Sequence, residues 1–265
     1  MGLHSDLSGI IPDHLITFLP DGYEVIGDIV IISFPQEIDV YTQDIIRSIL
    51  FHRPSVKTIL KKVGKRSGEF RTSEYIPIFG DTTLTEHKES GYRYKLDLSH
   101  VFFTGKLVFE RKRIEELISY GESVLVPFAG VGPFAIPPAA HGANVIAIEK
   151  SPSACHWLNQ NIRLNHVSSN TDVIQADAKE AHIYLKRLFD RIIIPGPYGG
   201  DNHLFNLLLL VKPGGIVHWI TFNNKKQIAE KSKSLEDIGF NTLRLQRCGN
   251  VAPSVSRWIL DLMKD

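Results

Sequence analysis

A glycine-containing turn and two carboxylates are the groups of this chain whose types and spacing could bind a ligand. The turn, Phe128–Gly132, follows the apolar run SVLVP and contains Gly130 and Gly132. Because glycine has no Cβ, a ligand can lie close to the backbone there. Glu149 follows the run NVIAI, and Asp177 follows TDVIQA. Glu149 could accept both ribose hydroxyls, and Asp177 could accept from an adenine amino group, so the pattern predicts an adenosine site.

Pro133 argues against a dinucleotide in this turn. A pyrophosphate needs backbone N–H donors at a helix N-terminus, and proline has none. Two carboxylates also suit an uncharged adenosine better than a diphosphate. S-adenosylmethionine is the cofactor that fits best, and the alternative is a tight strand-to-helix turn in a structural domain. The predicted cofactor-binding residues are Phe128, Gly130, Gly132, Phe134, Glu149, Lys150, Asp177 and Ala178.

Apolar and amphipathic segments alternate around this turn from about residue 110 onwards. The runs SVLVPF, NVIAIE, TDVIQAD, DRIIIPG and GIVHWITF predict strands, and NTLRLQRC with SRWILDLMKD predicts a terminal antiparallel pair. Between the strands lie predicted helices, one with Ser151 as N-cap and Pro152 at its first position. The segment DNHLFNLLLLVKPGG predicts a helix that ends at glycine. Strands that alternate with helices indicate an α/β fold, here a Rossmann-like mixed sheet.

The first part of the chain has a different pattern. The β-rich runs EVIGDIVIISF, VKTILKKV and YRYKLDL surround DVYTQDIIRSILFH, whose apolar residues have helical spacing. We therefore predict a small α+β domain over residues 1–95 and a larger α/β domain over residues 96–265.

Composition excludes several classes of protein. No apolar run reaches membrane-spanning length, and the N-terminus lacks the features of a signal peptide. Cys155 and Cys248 do not suggest a disulfide framework, and no Cys/His spacing fits zinc. The net charge is +1, so binding to RNA would need a local basic patch. We expect a cytoplasmic protein with no metal and no membrane partner.

Ordered motifs in both halves resemble one known family. The segments GEFRTSEY, ERKR after FFTGKL, FAGVGPF, EKSP, NQNIRLN and VAPSVSRW are similar to the archaeal and eukaryotic transferases that act on position 37 of tRNA. This family includes the guanine-37 N1-methyltransferase and the wybutosine-pathway enzyme that transfers a 3-amino-3-carboxypropyl group to C7 of the tricyclic base. The resemblance runs from about Gly22 to the C-terminus. It implies a class I methyltransferase fold, S-adenosylmethionine as cofactor and the tRNA anticodon stem-loop as partner.

The resemblance also implies residues that contact the reacting base. Arg71 matches an arginine that could stabilise charge on O6, and Glu110 matches a proposed general base for the N1 proton. Tyr198 could stack on an extruded base, and the backbone from Pro195 onwards could offer carbonyl acceptors. The alternative for Glu110 is a solvated charge on a helix, and for Arg71 it is an ordinary basic surface residue. For Pro195 and Tyr198 it is a Pro/Gly loop that leaves the sheet.

Two departures from the family pattern concern the group that is transferred. Val126 stands where the family carries an acid, and Pro195 stands where the methyltransferase branch carries asparagine. Aminocarboxypropyl transfer to C7 of a wyosine precursor is favoured by the absent asparagine, by the short N-terminal part and by the runs ERKRI and AIEKSP. The run VGPF instead favours the methyltransferase branch. Guanine-37 N1-methylation is the alternative. A non-catalytic member that binds S-adenosylmethionine or RNA, and a small-molecule methyltransferase, also stay open.

Basic residues in two stretches predict contact with RNA phosphates. The alternative for either stretch alone is ordinary solvated charge. The predicted RNA-binding residues are Lys61, Lys62, Lys65 and Arg66 in the first stretch, and Lys106, Arg111 and Arg113 in the second.

Overall fold

The structure is a computed structural model, which describes residues 2–67, 72–196, 203–252 and 254–265, with the backbone alone for residues 65–67, 72 and 73. The chain divides into two units, Met1–Lys106 and Leu107–Asp265. The domain boundary predicted at residue 95 falls inside a strand of the first unit, Tyr92–Asp97.

The first unit combines a four-stranded sheet with short helices. In the strand order β1-β2-β3-β4, only β2 and β3 are parallel, and α3 connects them. Ile45, Ile46 and Ile49 form the buried face of α3. A separate pair, β5-β6, completes the unit. The elements are α1 (Leu3–Leu7), α2 (Asp13–Ile16), β1 (Glu24–Ile26), β2 (Ile29–Ile32), a 3-10 helix (Gln36–Tyr41), α3 (Thr42–His52), β3 (Thr58–Ser67), β4 (Thr72–Phe79), β5 (Leu84–Glu89) and β6 (Tyr92–Asp97).

The second unit is built on a seven-stranded mixed sheet, which confirms the predicted α/β class. Its strand order is β12-β13-β11-β10-β7-β8-β9. The strands from β11 to β9 pair in parallel, and β13 runs antiparallel to both of its neighbours. The strands are β7 (Ser123–Pro127), β8 (Asn144–Glu149), β9 (Thr171–Gln175), β10 (Phe189–Pro195), β11 (Val211–Asn223), β12 (Phe240–Ala252) and β13 (Val255–Lys264).

Helices connect these strands and pack against the sheet. Residues of α8 and α9, such as Leu207 and Ile228, share one buried cluster with Ile192, Val217 and Leu260 of the sheet. The helices are α4 (Val108–Glu116) after a 3-10 turn (Gly105–Leu107), α5 (Ile136–Ala140), α6 (Pro152–Leu164), α7 (Ala181–Tyr184) after a 3-10 turn (Ala178–Glu180), α8 (Leu204–Leu208) and α9 (Lys225–Glu236). None of the helices within the described ranges is long and apolar enough to cross a membrane.

The start of α6 agrees with its prediction from the sequence, whereas the end of α8 does not. The predicted start of α6 is confirmed, because Ser151 Oγ accepts from the backbone N–H of Ala154 and Pro152 is the first helical residue. The helix predicted over DNHLFNLLLLVKPGG is wrong in its second half. There α8 ends at Leu208, and β11 begins at Val211. Pro213 cannot continue a helix, since it lacks the N–H and clashes with the preceding turn.

Candidate active site

The carboxyl ends of three neighbouring strands bring the predicted ligand groups together. In the sheet, Pro127 of β7 lies opposite Ile148 of β8, and Glu149 lies opposite Gln175 of β9. The turn after β7, Glu149 and Asp177 therefore share one edge of the sheet. Ligands of open parallel sheets bind outside this edge, where the strand order reverses.

The two glycines of the turn have different roles. Both have positive φ, +57° at Gly130 and +101° at Gly132. A Cβ on Gly132 would lie 2.7 Å from Leu158 Cδ1 and 2.9 Å from Ile136 Cδ1, whereas a Cβ on Gly130 would meet no atom within 4 Å. A side chain at Gly132 would therefore displace Leu158 and Ile136 and would be strained by the positive φ, while Gly130 leaves space beside the backbone that a ligand can fill.

Phe128 starts this turn in an unusual conformation. Its φ of +56° lies in the left-handed region, which a bulky residue rarely adopts. The backbone N–H of Ala129 donates to the carbonyl oxygen of Ile148 at 3.0 Å, and the Phe128 ring packs on the core. These contacts hold the strained residue in place, and sequence spacing gave no signal for it. Such strain persists where the surroundings determine it, often at ligand sites.

Glu149 ties the turn to the end of β8. Its Oε2 accepts from the backbone N–H of Gly130 at 2.8 Å, and its Oε1 accepts from those of Lys150 and Ser151, both at 2.8 Å. A carboxylate oxygen offers two lone pairs. Within the described residues, these contacts leave one lone pair of Oε2 for a further donor, such as a ribose hydroxyl.

Asp177 presents a second carboxylate at the same edge. Its Oδ1 accepts from the backbone N–H of Lys179 at 3.1 Å, and its Oδ2 accepts from Lys150 Nζ at 3.1 Å. Burial raises the pKa of Asp177, but the hydrogen bonds from Lys179 and Lys150 outweigh burial, so that the pKa lies below its ordinary value. Asp177 is thus an ionised acceptor at neutral pH. Tyr184 donates to its carbonyl oxygen at 3.2 Å.

Phe134 and Ala178, which are also predicted to bind the cofactor, are buried. Phe134 is 4% exposed and Ala178 is 2% exposed. The guanidinium of Arg111 lies over the Phe134 ring, 5.6 Å from its centroid. Both side chains therefore support the site from within the core.

Glu110, the predicted general base, is held in a buried ion-pair network. Its Oε2 accepts from Arg113 Nε at 2.7 Å and from the Arg244 guanidinium at 3.3 Å, and the residue is 8% exposed. Arg113 also donates to both oxygens of Asp261, at 2.7 and 3.0 Å. Glu110 is therefore engaged by two guanidiniums, and a proton acceptor role would require those contacts to change.

The same network continues across the sheet through His218. Its Nε2 contacts Arg191 at 2.6 Å, and its Nδ1 contacts Asp261 at 2.6 Å. Arginine can only donate, so Nε2 is the acceptor, and Nδ1 carries the proton that is donated to Asp261. Burial lowers the pKa of His218 below its ordinary value, and the pKa of Asp261 falls to about 2, since its hydrogen bonds to His218 and Arg113 outweigh burial.

Several residues predicted to bind RNA point into the protein instead. Arg111 is 4% exposed beside Phe134, and Arg113 is bound by two carboxylates. The Lys61 side chain is 12% exposed, because it pairs with Asp39 and lies 4.4 Å from the centroid of the Phe34 ring. The prediction that these three contact RNA phosphates therefore needs correction, because each side chain is engaged within the protein, and the alternative of ordinary solvated charge does not describe them either. Lys106 is exposed, and Lys62 is half-buried on β3.

The remaining predicted residues lie at the end of β10 or outside the described side chains. Pro195 ends β10 opposite Ile220 of β11, and a Cβ on the next residue, Gly196, would lie 2.4 Å from the Ile220 carbonyl oxygen. The backbone therefore leaves β10 tightly against β11, next to the turn after β7. Arg71 and Tyr198 lie outside the described residues, as do the side chains of Lys65 and Arg66.

Strand order and ligand edge together define a class I methyltransferase fold, and comparisons with known proteins agree. Residues 85–242 match the model of the TRM5/TYW2 methyltransferase domain, and residues 3–83 match that of the TYW2 N-terminal domain. The chain belongs to the TRM5/TYW2 family.

Two relatives represent the two named activities of this family. The tRNA (guanine(37)-N(1))-methyltransferase Trm5b of Pyrococcus abyssi is 37% identical over 80% of this chain and 63% of its own length. The tRNA(Phe) (4-demethylwyosine(37)-C(7)) aminocarboxypropyltransferase of Pyrococcus horikoshii is 30% identical over 97% of this chain and 94% of its own length. The chain thus spans less than two thirds of the first relative and nearly all of the second.

Two solved structures share the architecture. A complex of aTrm5 with tRNALeu superposes with a TM-score of 0.87 at 27% identity, over 98% of this chain and 77% of that one. TYW2 of P. horikoshii in complex with MeSAdo superposes with a TM-score of 0.77 at 27% identity, over 98% of this chain and 97% of that one.

Proposed function

We propose that this protein is an S-adenosylmethionine-dependent transferase that modifies the base at position 37 of tRNA. The observation that carries this proposal is the shared carboxyl edge of β7, β8 and β9, where an open glycine turn meets two carboxylates. Membership of the TRM5/TYW2 family supports it, as do the solved relatives with tRNA and with MeSAdo.

The residues at this edge fit an adenosyl cofactor. Gly130 leaves open space along the backbone, Glu149 retains an acceptor position on Oε2, and Asp177 is ionised. Glu149 would accept from one ribose hydroxyl, and Asp177 would accept from the adenine amino group. When bound, the cofactor would supply an electrophilic carbon attached to its sulfonium.

The carboxyl end of β10 is the place for the reacting base. β10 is the neighbour of β7 in the sheet, so Pro195 and Gly196 end beside the turn that would hold the cofactor. A base extruded into this position would meet backbone carbonyls of the segment that follows β10. The position of this base relative to the cofactor would decide which carbon attached to the sulfonium it attacks.

We propose that the transferred group is 3-amino-3-carboxypropyl and that the acceptor is C7 of a wyosine precursor. The match of residues 3–83 to the TYW2 N-terminal domain supports this choice. The near end-to-end match to the P. horikoshii aminocarboxypropyltransferase supports it as well. The absence of an asparagine side chain at Pro195 removes one group that could organise attack by guanine N1.

Guanine-37 N1-methylation is the second candidate. It is favoured by the higher identity, 37%, to the P. abyssi methyltransferase over the shared region. The sequence VGPF in the turn after β7 also resembles that branch. In this case the N1 proton must leave, and Glu110 would have to exchange its contacts with Arg113 and Arg244 before it could accept that proton.

Separately labelled cofactor tests both candidates in one experiment. The protein is incubated with tRNA bearing 4-demethylwyosine or unmodified guanine at position 37, and with S-adenosylmethionine labelled in either the methyl or the carboxyl carbon. We expect carboxyl label on the 4-demethylwyosine tRNA and release of 5′-methylthioadenosine. Methyl label on guanine-37, with release of S-adenosylhomocysteine, would reverse the choice of group. Binding of both partners without transfer of either label would identify a non-catalytic member.

A further inference from the structure

A second concave site lies at the same edge of the sheet, on the other side of β10. It is a cleft of about 760 Å³ between the start of α9 and the hairpin of β12 and β13. None of the predicted site residues that the structure describes lines it. Its lining includes Lys225 of α9 and four residues of the hairpin, Arg247, Asn250, Ser256 and Trp258.

Two cations that have no acidic partner among the described residues distinguish this cleft. Arg247 Nε donates to Ser256 Oγ at 2.8 Å, and its Nη2 donates to Asn250 Oδ1, so that both acceptors are neutral. Lys225 forms no ion pair with any described residue. The described lining of the cleft contains no Asp or Glu. Two such cations make a local site for an anion in a chain whose net charge is only +1.

The N-terminus of α9 does not provide this anion site. Asn224 Oδ1 accepts from the backbone N–H of Gln227 at 2.8 Å, and Gln227 Oε1 accepts from that of Asn224 at 3.1 Å. This capping box already engages two of the donors there. The attraction for an anion therefore comes from the side chains of Lys225 and Arg247.

Irregular pairing in the hairpin sets the positions of these side chains. Arg247 pairs with Trp258, but the next pair is Asn250 with Ser256, so β12 contains one extra residue between them. Bulges of this kind turn side chains out of the regular alternation. As a result Arg247, Asn250 and Ser256 contact one another at one side of the cleft.

Trp258 adds an aromatic surface. Its Nε1 donates to the carbonyl oxygen of Asn223 at 2.9 Å, so the polar edge of the indole is satisfied by β11. The ring is half-buried and lines the cleft. An aromatic ring beside cations is the combination that binds single-stranded nucleic acid, with a base on the ring and a phosphate on the cations.

The position of the cleft suits a nucleotide next to the modified one. β13 is two strands away from β10, and strands are about 4.8 Å apart, which gives roughly 10 Å between their axes. The cofactor edge over β7, β8 and β9 lies on the opposite side of β10. A strand of RNA whose reacting base enters at the end of β10 could therefore continue over the cleft.

We propose that this cleft binds the nucleotide adjacent to the modified base, with its phosphate between Lys225 and Arg247 and its base against Trp258. This inference rests on the proposed function, because it requires an RNA substrate. The cleft then fixes the register of the anticodon loop, so that one nucleotide and no neighbour reaches the end of β10.

The affinity of fluorescein-labelled tRNA for the full chain tests this proposal over a series of salt concentrations. Removing both cations in Lys225→Ala/Arg247→Ala should weaken binding at low salt at least about tenfold, the effect of losing one charge-assisted hydrogen bond. The slope of log affinity against log salt should become shallower by about 0.7 for each lost contact to a single strand. Affinity for S-adenosylmethionine should not change.

Matched variants separate charge, stacking and folding. Arg247→Lys should keep most of the salt dependence, which controls for loss of the Ser256 and Asn250 contacts. Lys226→Ala is the control for general charge, since Lys226 is 87% exposed, pairs with Glu230 and does not line the cleft. Trp258→Leu should weaken tRNA binding roughly tenfold without changing the salt slope, because stacking involves no counterion release.

An anticodon stem-loop RNA with single neutral methylphosphonates locates the contact. The wild-type protein should lose affinity when a phosphate flanking position 37 is neutralised. The same neutral phosphate should not further reduce the affinity of the double variant, which already lacks the two cations. Additive losses, or equal salt slopes for wild type and double variant, would overturn the cleft as a phosphate site. Absence of tRNA binding by the wild type would instead overturn the proposed function, so the two failures are distinguishable.

Discussion

At the scale of single residues, the site combines groups that hold the backbone with groups that leave room for a ligand. A Cβ at Gly132 would press on Leu158 and Ile136, whereas Gly130 faces open space. Glu149 is engaged by three backbone N–H groups and still retains an acceptor position. Sequence spacing predicted all three residues but could not distinguish the roles of the two glycines, because that distinction depends on side chains of α5 and α6.

Glycine substitutions should separate packing from binding. Gly132→Ala should lower the free energy of unfolding by about 1–3 kcal/mol, the usual effect of overpacking a core. Gly130→Ala meets no atom and should cost about 1–2 kcal/mol for its positive φ alone, but it should weaken cofactor binding. Thermal unfolding and calorimetric titration of S-adenosylmethionine measure the two effects. Equal cofactor affinity in wild type and Gly130→Ala would argue that no ligand occupies that space.

Glu149→Ala should weaken binding of S-adenosylmethionine. Loss of a charge-assisted hydrogen bond costs about 1.5–3 kcal/mol, which corresponds to roughly 10- to 100-fold in the dissociation constant. Asp172→Ala is the matched control, because Asp172 is an exposed carboxylate near the amino end of β9, away from the ligand edge. If both variants bind the cofactor with the same affinity, Glu149 has only a structural role in the turn.

At the scale of elements, the strands of the second unit were predictable, but the environment of its helices was not. Four apolar residues in a row, Val124–Pro127, predict β7 from the sequence, and the structure buries all of them. The run ERKR in α4 reads as a basic surface, yet Arg113 is paired with Asp261, 148 residues later in the chain. Such partners lie too far apart in sequence for helical spacing to reveal them.

Two strands of the first unit also lack an ordinary strand pattern. β4 includes Pro77, and β5 has the mostly polar sequence LTEHKE.

Removing Arg113 should therefore affect stability more than RNA binding. Arg113→Ala leaves Glu110 and Asp261 without their shared partner, and breaking a buried pair costs about 3 kcal/mol or more. Lys112→Ala is the control on the same helix, since Lys112 is exposed and its two contacts are longer than those of Arg113: 3.4 Å to the buried Glu115 and 4.0 Å to the exposed Glu116. Chemical denaturation compares the variants. A loss in Arg113→Ala no larger than in Lys112→Ala would place Arg113 outside the structural network.

At the scale of the whole molecule, the proposed binding sites and the buried ion-pair network occupy different parts of one sheet. The carboxyl edge carries the turn after β7, the end of β10 and the cleft beside β12. The network from Glu110 to Arg191 instead crosses the middle of β10, β11 and β13. No single motif in the sequence indicates this division, because it follows from a strand order that places β13 between β11 and β12. Changes of pH should therefore act on the second unit as a whole through this network.

The free energy of unfolding should fall as the pH drops below 6.5 because of His218. Burial lowers its pKa in the folded state, so below its ordinary value of 6.5 the unfolded chain binds a proton that the folded chain excludes. One such proton lowers the free energy of unfolding by about 1.4 kcal/mol for each pH unit below 6.5. The contribution of neutral His218 to stability is therefore fully present above pH 6.5 and is lost as the pH falls. Asp261, with a pKa of about 2, contributes only at much lower pH, below its ordinary 3.8.

His218→Gln provides the comparison that isolates this proton. The glutamine amide can donate to Asp261 and its oxygen can accept from Arg191, so that both contacts persist without a titrating group. Trp157, Trp219 and Trp258 all lie in the second unit, so tryptophan fluorescence follows the unfolding of that unit alone. Between pH 6.5 and 5, the wild type should lose stability more steeply than His218→Gln, and the other histidines cancel in the difference. Parallel curves of unfolding free energy against pH would mean that His218 is already protonated in the folded state. The Arg191 guanidinium would then face another cation, and the neutral tautomer assigned to His218 from this contact would be wrong.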